Sequence, residues 1–217
     1  MDRDAFLARV GRSAMTAVLP ESPSVAERLP DMEPEDLVVL FRERAQAVDA
    51  VVHGPVGRHG VPVVVTGVAA GHGCETFMAW DELPSPGVAS ALTAEGLDRL
   101  AHDVPNSDRL EHQMGYVPLE LGVTGALAGL ADSGSLVLSH GQGRPRMASL
   151  VPEVHVALLE VNTIERTLAY WAQKHPEAVS ETTNLVMVTG PSRTGDIEQS
   201  LNLGVHGPRH VHVVLIR

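Results

Sequence analysis

The feature that most constrains the fold of this chain is an alternation in its second half. Short apolar runs rich in branched residues take turns with segments that carry helix-start signals. Val154-His155-Val156-Ala157-Leu158-Leu159 follows Pro152 and predicts a buried strand, because such runs fit a pleated surface covered on both faces. Asn162 and Glu165 have capping-box spacing and predict a helix through Leu168 and Trp171 that stops before Pro176. Leu185–Thr189 predicts the next strand, Asp196 begins a short helix, and Val211–Ile216 predicts a last strand. Upstream, Leu130 to Leu138 reads as two short strands about a tight turn at Ser133-Gly134. Strand-helix-strand alternation of this kind predicts an α/β fold, with a largely parallel sheet and helices on both faces.

The first half is less regular. Phe6, Leu7, Val10, Ala14, Ala17 and Val18 predict an amphipathic helix over 2–18. A connection with Pro20, Pro23 and Pro30 follows, and Pro34 suits the first turn of a second helix carrying Leu37, Phe41, Ala45 and Val48. Residues 1–33 are therefore read as a helix and Pro-rich connection, and 34–217 as the main domain. Val51-Val52 and Val61–Val65 look like strands, Gly67, Gly71 and Gly73 mark a loop, residues 81–90 cross the surface, and 93–102 can form a short helix.

Composition narrows the function classes. The net charge of -11 disfavours a phosphate backbone as partner, so nucleic-acid binding is not expected. No run approaches the roughly 20 apolar residues of a membrane span, and the charged start Met1-Asp2-Arg3-Asp4 lacks a signal peptide's apolar stretch, which predicts a cytoplasmic protein. The one cysteine, Cys74, excludes an intrachain disulfide. It also excludes an iron–sulfur cluster ligated by this chain alone, since such clusters take about four cysteines.

Several segments could carry chemistry. Gly190-Pro191-Ser192-Arg193-Thr194-Gly195-Asp196-Ile197-Glu198 follows a predicted strand and opens a predicted helix. Free N–H groups there, with Ser192, Arg193 and Thr194, would form a pocket for a carboxylate or phosphate; equally, Ser192 or Thr194 simply caps the helix. Asp196 or Glu198 could orient a hydroxyl or take a proton. His206, flanked by glycines in Gly204-Val205-His206-Gly207-Pro208, is the candidate acid/base. His210 and His212 share one face of a strand and could hold a metal, but no third ligand has diagnostic spacing, and an edge strand explains them as well. Gly141-Gln142-Gly143-Arg144-Pro145-Arg146 is an anion site or a solvated loop, and matches no Walker motif. Cys74 reads as a small buried apolar residue rather than a nucleophile.

Together, Gly190–Glu198 and Gly204–Pro208 resemble the C-terminal signature of LUD-domain proteins. Gly122-Val123-Thr124-Gly125, Ala131–Leu136 and Pro152-Glu153-Val154-His155 resemble that family's other motifs in the same order. The resemblance covers roughly residues 34–216 and is nearest to the protein C subgroup of lactate utilization. It implies a fold like that of the NagB/RpiA/CoA transferase-like superfamily. It implies a role in L-lactate oxidation to pyruvate beside iron–sulfur partner proteins, with no cofactor in this chain. Residue by residue it points to Thr124, Gly125, Ser135, Ser192, Thr194, Asp196, Glu198 and His206. The chain departs from the family pattern at Asp132-Ser133-Gly134-Ser135, where Glu-Thr-Gly-Thr is common, and at Ala126-Leu127, where an acidic residue is frequent.

Two other functions fit the same residues. One is a freestanding isomerase, CoA transferase or formyltetrahydrofolate cyclo-ligase. The other is a regulatory module that binds a hydroxy acid. A small anionic ligand is common to all three.

Overall fold

A computed structural model describes residues 3, 31–101, 119–195, 201–204 and 206–217. Arg3 apart, the helix expected over 2–18 lies outside the described residues, as does most of the Pro-rich connection. Helix α1 (Pro34–Ala47) has proline in its first turn, Glu35 and Asp36 where the helix dipole favours acids, and Phe41 and Ala45 buried. Strand β1 (Val51–Val56) follows.

The expected strand at Val61–Val65 is instead the start of helix α2 (Val61–His72), and Gly67 and Gly71 lie inside it rather than in a loop. The branched valines suggested a strand. The helix wins because Val61, Val65, Val68 and Ala69, the buried positions, repeat at helical spacing, and because a proline sits in the first turn. Gly73 ends the helix in the left-handed conformation. Next come β2 (Thr76–Ala79), α3 (Val88–Ala94) and β3 (Asp98–Arg99). The helix expected over 93–102 is thus shifted upstream, and Asp98–Arg99 forms the sheet edge.

The second half follows the predicted alternation closely. It runs β4 (Leu121–Gly125), β5 (Ala128–Leu130), β6 (Ser135–His140), the single helical turn α4 (Met147–Leu150) and β7 (Val154–Glu160). After these come β8 (Ile164–Glu165), α5 (Leu168–Lys174), β9 (Asn184–Val188), β10 (Arg193–Gly195), β11 (Leu201–Leu203) and β12 (His210–Ile216). Asn162 and Glu165 do not open α5. Ile164 and Glu165 pair instead with Gly129 and Leu130 of β5, and Thr167 caps the helix by accepting a bond from the Tyr170 N–H at 3.2 Å.

Six strands form a parallel sheet in the order β1-β12-β7-β4-β2-β3. Helices α2 and α3 pack on one face, through Val65, Val68 and Leu92 against Phe77, Val156 and Val214. Helices α1 and α4 lie on the other, where Phe41, Ala45 and Ala148 meet Ala157, Val213 and Leu215. A smaller sheet, β8-β5-β6-β9, closes that second core with Leu136 and Leu138. The close approach of α4 is written into Gly122: a Cβ there would sit 1.7 Å from the Ala148 carbonyl oxygen.

Candidate functional site

Ligands of open parallel sheets gather beyond the carboxyl ends of the strands. Here β2 ends at Ala79 and β4 at Gly125, and beyond them lies a cleft of about 650 Å³. Trp80, Leu83 and Leu127 give it apolar walls, while Asp81, Gln142 and Arg144 bring polar groups to its rim. Backbone bonds fix each wall. The Trp80 N–H donates to the Val123 carbonyl at 3.1 Å, and the Asp81 N–H to the Gly143 carbonyl at 2.9 Å. The indole N–H of Trp80 donates to the Pro145 carbonyl at 3.2 Å. Gly125 must be small, since a Cβ there would lie 3.1 Å from Pro84 Cδ.

The loop that carries Arg144 is a tight turn. Gly141 and Arg144 exchange backbone bonds of 3.2 and 3.0 Å, and Gly143 takes a φ of +69°, a conformation that favours glycine. Arg144 also borders a neighbouring cavity of about 410 Å³. Among the described residues its guanidinium makes no ion pair, whereas Asp81 is 3.3 Å from Arg99. The cleft is therefore lined by one guanidinium, a side chain suited to grip a carboxylate with two parallel bonds, together with the carboxylates of Asp81 and Glu82.

Under the cleft floor lies a buried polar layer. Thr124 Oγ1 and His155 Nε2 are 2.9 Å apart, and His140 Nε2 is 3.2 Å from Ser149 Oγ. The His140 ring meets the Trp80 ring edge-on at 5.7 Å. Burial pushes the His140 pKa down, and a bond to the Asn184 carbonyl only partly opposes this. These groups are sealed from solvent, and burial disfavours the charged form of both imidazoles.

The residues singled out from sequence do not form one cluster. Gly125 lines the cleft. Thr124 is fully buried, and Ser135, 5% exposed, shares its hydroxyl with Ser133 and Thr189 at 2.9 and 2.7 Å. Gly190, Ser192, Arg193 and His206 gather at the opposite, amino-terminal edge of the sheet. Gly190 packs against the Val48 carbonyl, Arg193 pairs with Asp49, and the Ser192 N–H donates to the Pro208 carbonyl at 2.8 Å. Ser192 also accepts from the Gly204 N–H at 2.9 Å, which joins the turn at 190–193 to the bend around His206. His206 is exposed and lines a separate cavity of about 600 Å³ with Glu120, Glu153 and Arg209.

Arg193–Gly195 forms a strand that pairs antiparallel with Leu201–Leu203, and the start of the helix expected from Asp196 lies outside the described residues. Thr194 sits in that ladder opposite Asn202, and Asp196 and Glu198 lie outside the described residues. No sequence pattern marks the cleft residues Trp80 and Asp81 as part of a site. Their one signal was the run Phe77-Met78-Ala79-Trp80, too poor in branched residues to announce a strand.

Comparison with known proteins adds a family. The family model described as the LUD domain matches residues 64–216. Lactate utilization protein C of Shouchella clausii is 27% identical over 220 residues, covering 95% of this chain and 94% of that protein. A protein of Neisseria meningitidis serogroup B is 34% identical over 103 residues, covering 46% of this chain and 44% of that protein, so the match spans less than half of its length. The crystal structure of a DUF162 family protein from Deinococcus radiodurans superposes with a TM-score of 0.66 at 20% identity, covering 86% of this chain and 100% of that one. That likeness establishes a shared fold.

Proposed function

The chain belongs to the LUD domain family, and on that premise we propose that it is a component of an L-lactate utilization system. In this reading it works in the cytoplasm with iron–sulfur partner proteins that carry the electrons as L-lactate becomes pyruvate. The observation that carries the reading is the similarity, along 95% of the chain, to lactate utilization protein C of Shouchella clausii. The single cysteine supports the division of labour, since a cluster needs about four thiolates and they must come from partners.

The cleft beyond β2 and β4 is the working end. Arg144 holds the carboxylate of a small hydroxy acid, Gln142 is within the same rim to bond its hydroxyl, and Trp80 and Leu127 shield the methyl side. The chain's own contribution is to bind, orient and exclude water.

The test is genetic and biochemical. Deleting the gene should abolish growth on L-lactate while sparing growth on pyruvate, and the tagged chain should bring down brown, cysteine-rich partners. Normal growth on L-lactate together with no such partner would remove the proposal.

A further inference from the structure

The carboxylate cleft does not end at Arg144. A second cavity of about 410 Å³ lies beside it, and Leu127 and Arg144 line both. Leu127 is 41% exposed, one of the large apolar side chains that the fold leaves open to solvent. Its place is fixed. Its N–H donates to the Val137 carbonyl at 2.8 Å, and the Ala126 N–H before it donates to the Leu158 carbonyl at 2.9 Å. An exposed leucine held at the junction of two cavities is a surface for a ligand to cover.

Size points the same way. The first cleft alone, at about 650 Å³, has the volume of pockets that enclose molecules much larger than lactate. The second cavity has an apolar inner wall. Trp171, 3% exposed, clusters there with Ala178 and Val137, and its ring meets that of His175 at 5.4 Å with a tilt of 32°.

Charge decides which end of a ligand goes where. Lys174 also lines the second cavity, but the Glu165 carboxylate already holds its ammonium at 2.9 and 3.2 Å. That leaves Arg144, at the junction, as the anchor for a carboxylate. Acids stand on both sides of it: Asp81 and Glu82 in the first cleft, Glu177 and Glu181 in the second. They repel a second negative group at either end. A ligand anchored at Arg144 therefore reaches past Leu127 with an uncharged body.

We propose that the cleft takes 2-hydroxy monocarboxylic acids with a branched or aromatic side chain, larger than lactate, and that this side chain covers Leu127 and enters the second cavity against Trp171 and Ala178. The inference rests on the reading of the cleft as a hydroxy-acid site, and it gives that site its specificity. The carboxylate stays on Arg144 and the hydroxyl on Gln142, as for lactate; only the group beyond the third carbon grows. L-Lactate leaves the second cavity to water, whereas an isobutyl or benzyl side chain displaces water from apolar surface and so binds tighter.

The experiment is calorimetric titration of the full chain with L-lactate, L-2-hydroxyisocaproate, L-3-phenyllactate and L-malate. Phenyllactate is expected to bind about tenfold or more tighter than lactate, with hydroxyisocaproate in between. Malate should bind no tighter than lactate, because its second carboxylate meets the acids. Ala178→Phe fills the second cavity and should bring phenyllactate down to the affinity of lactate, while lactate binds as to the wild type. His175→Glu, at an exposed position, sets a charge in the same wall and should cut the gain without lowering the melting temperature. Phenyllactate binding no tighter than lactate, or the full gain persisting in both variants, would overturn the proposal while the lactate reading stands. If no acid binds, or if Arg144→Gln binds lactate and phenyllactate as the wild type does, the cleft reading falls and this inference falls with it.

Discussion

Thr124 and His155 meet across the pairing of β4 with β7, Oγ1 to Nε2 at 2.9 Å, with both side chains at 0% exposure. The other ring nitrogen, Nδ1, has no hydrogen-bond partner among the described residues. The imidazole is held neutral: burial first, then the nearby His140 and His212, bring its pKa down to about 4.

The sign of the pH dependence follows. In the unfolded chain a histidine titrates near 6.5, so below about pH 6.5 the unfolded state takes up a proton that the folded state refuses. Stability is complete above that pH and is lost as pH falls toward 4, by on the order of 3 kcal/mol from His155 alone. His212, also lowered to about 4, acts in the same direction. Urea unfolding at a series of pH values should show this loss, and His155→Asn should remove about one proton from the slope. An unchanged slope in the variant would place the effect elsewhere.

Cys74 is expected to be a poor nucleophile. Burial raises its thiol pKa to about 11, and the carboxylates of Glu120 and Glu153 push the same way. Its thiolate at neutral pH is then roughly a hundredfold scarcer than for a thiol at 9. Alkylation by iodoacetamide should be correspondingly slow, and Glu120→Gln should speed it by removing one repelling charge. Rapid labelling of the wild type at neutral pH would contradict the burial.

Gly122 tests the packing of α4 on the sheet. A methyl group there would lie 1.7 Å from the Ala148 carbonyl oxygen and 2.8 Å from Pro152 Cγ, and the first neighbour is backbone that cannot swing aside. Gly122→Ala should cost more than about 3 kcal/mol in chemical denaturation. Gly67→Ala, where nothing lies within 4 Å, should stabilise α2 by up to about 1 kcal/mol.

Much of this fold can be read from residues. Val154–Leu159 and Val211–Ile216 are continuous apolar runs because β7 and β12 are central parallel strands buried on both faces, and the Ser133-Gly134 turn between β5 and β6 needed Gly134 at a φ of +68°. Local pattern failed where tertiary contacts decided. Val61–Val65 has strand composition but helical burial, and Ile164-Glu165 left its helix to pair with β5. The candidate site was half legible. Gly125 and Arg144 stood out, but only the sheet topology, which joins β2 to β4, brings Trp80 and Asp81 beside them. The histidine at 53 lies 159 residues from its partner His212, a proximity no spacing rule could supply.

The most direct test of the account is calorimetric titration of L-lactate into the wild-type chain and into Arg144→Gln. The account predicts saturable binding to the wild type, weakened about tenfold to a hundredfold in the variant through loss of a charge-assisted pair, with both proteins melting alike. His206→Ala, at the opposite edge of the sheet, should bind as the wild type does. Equal affinity in wild type and Arg144→Gln, or loss of binding in His206→Ala alone, would contradict it.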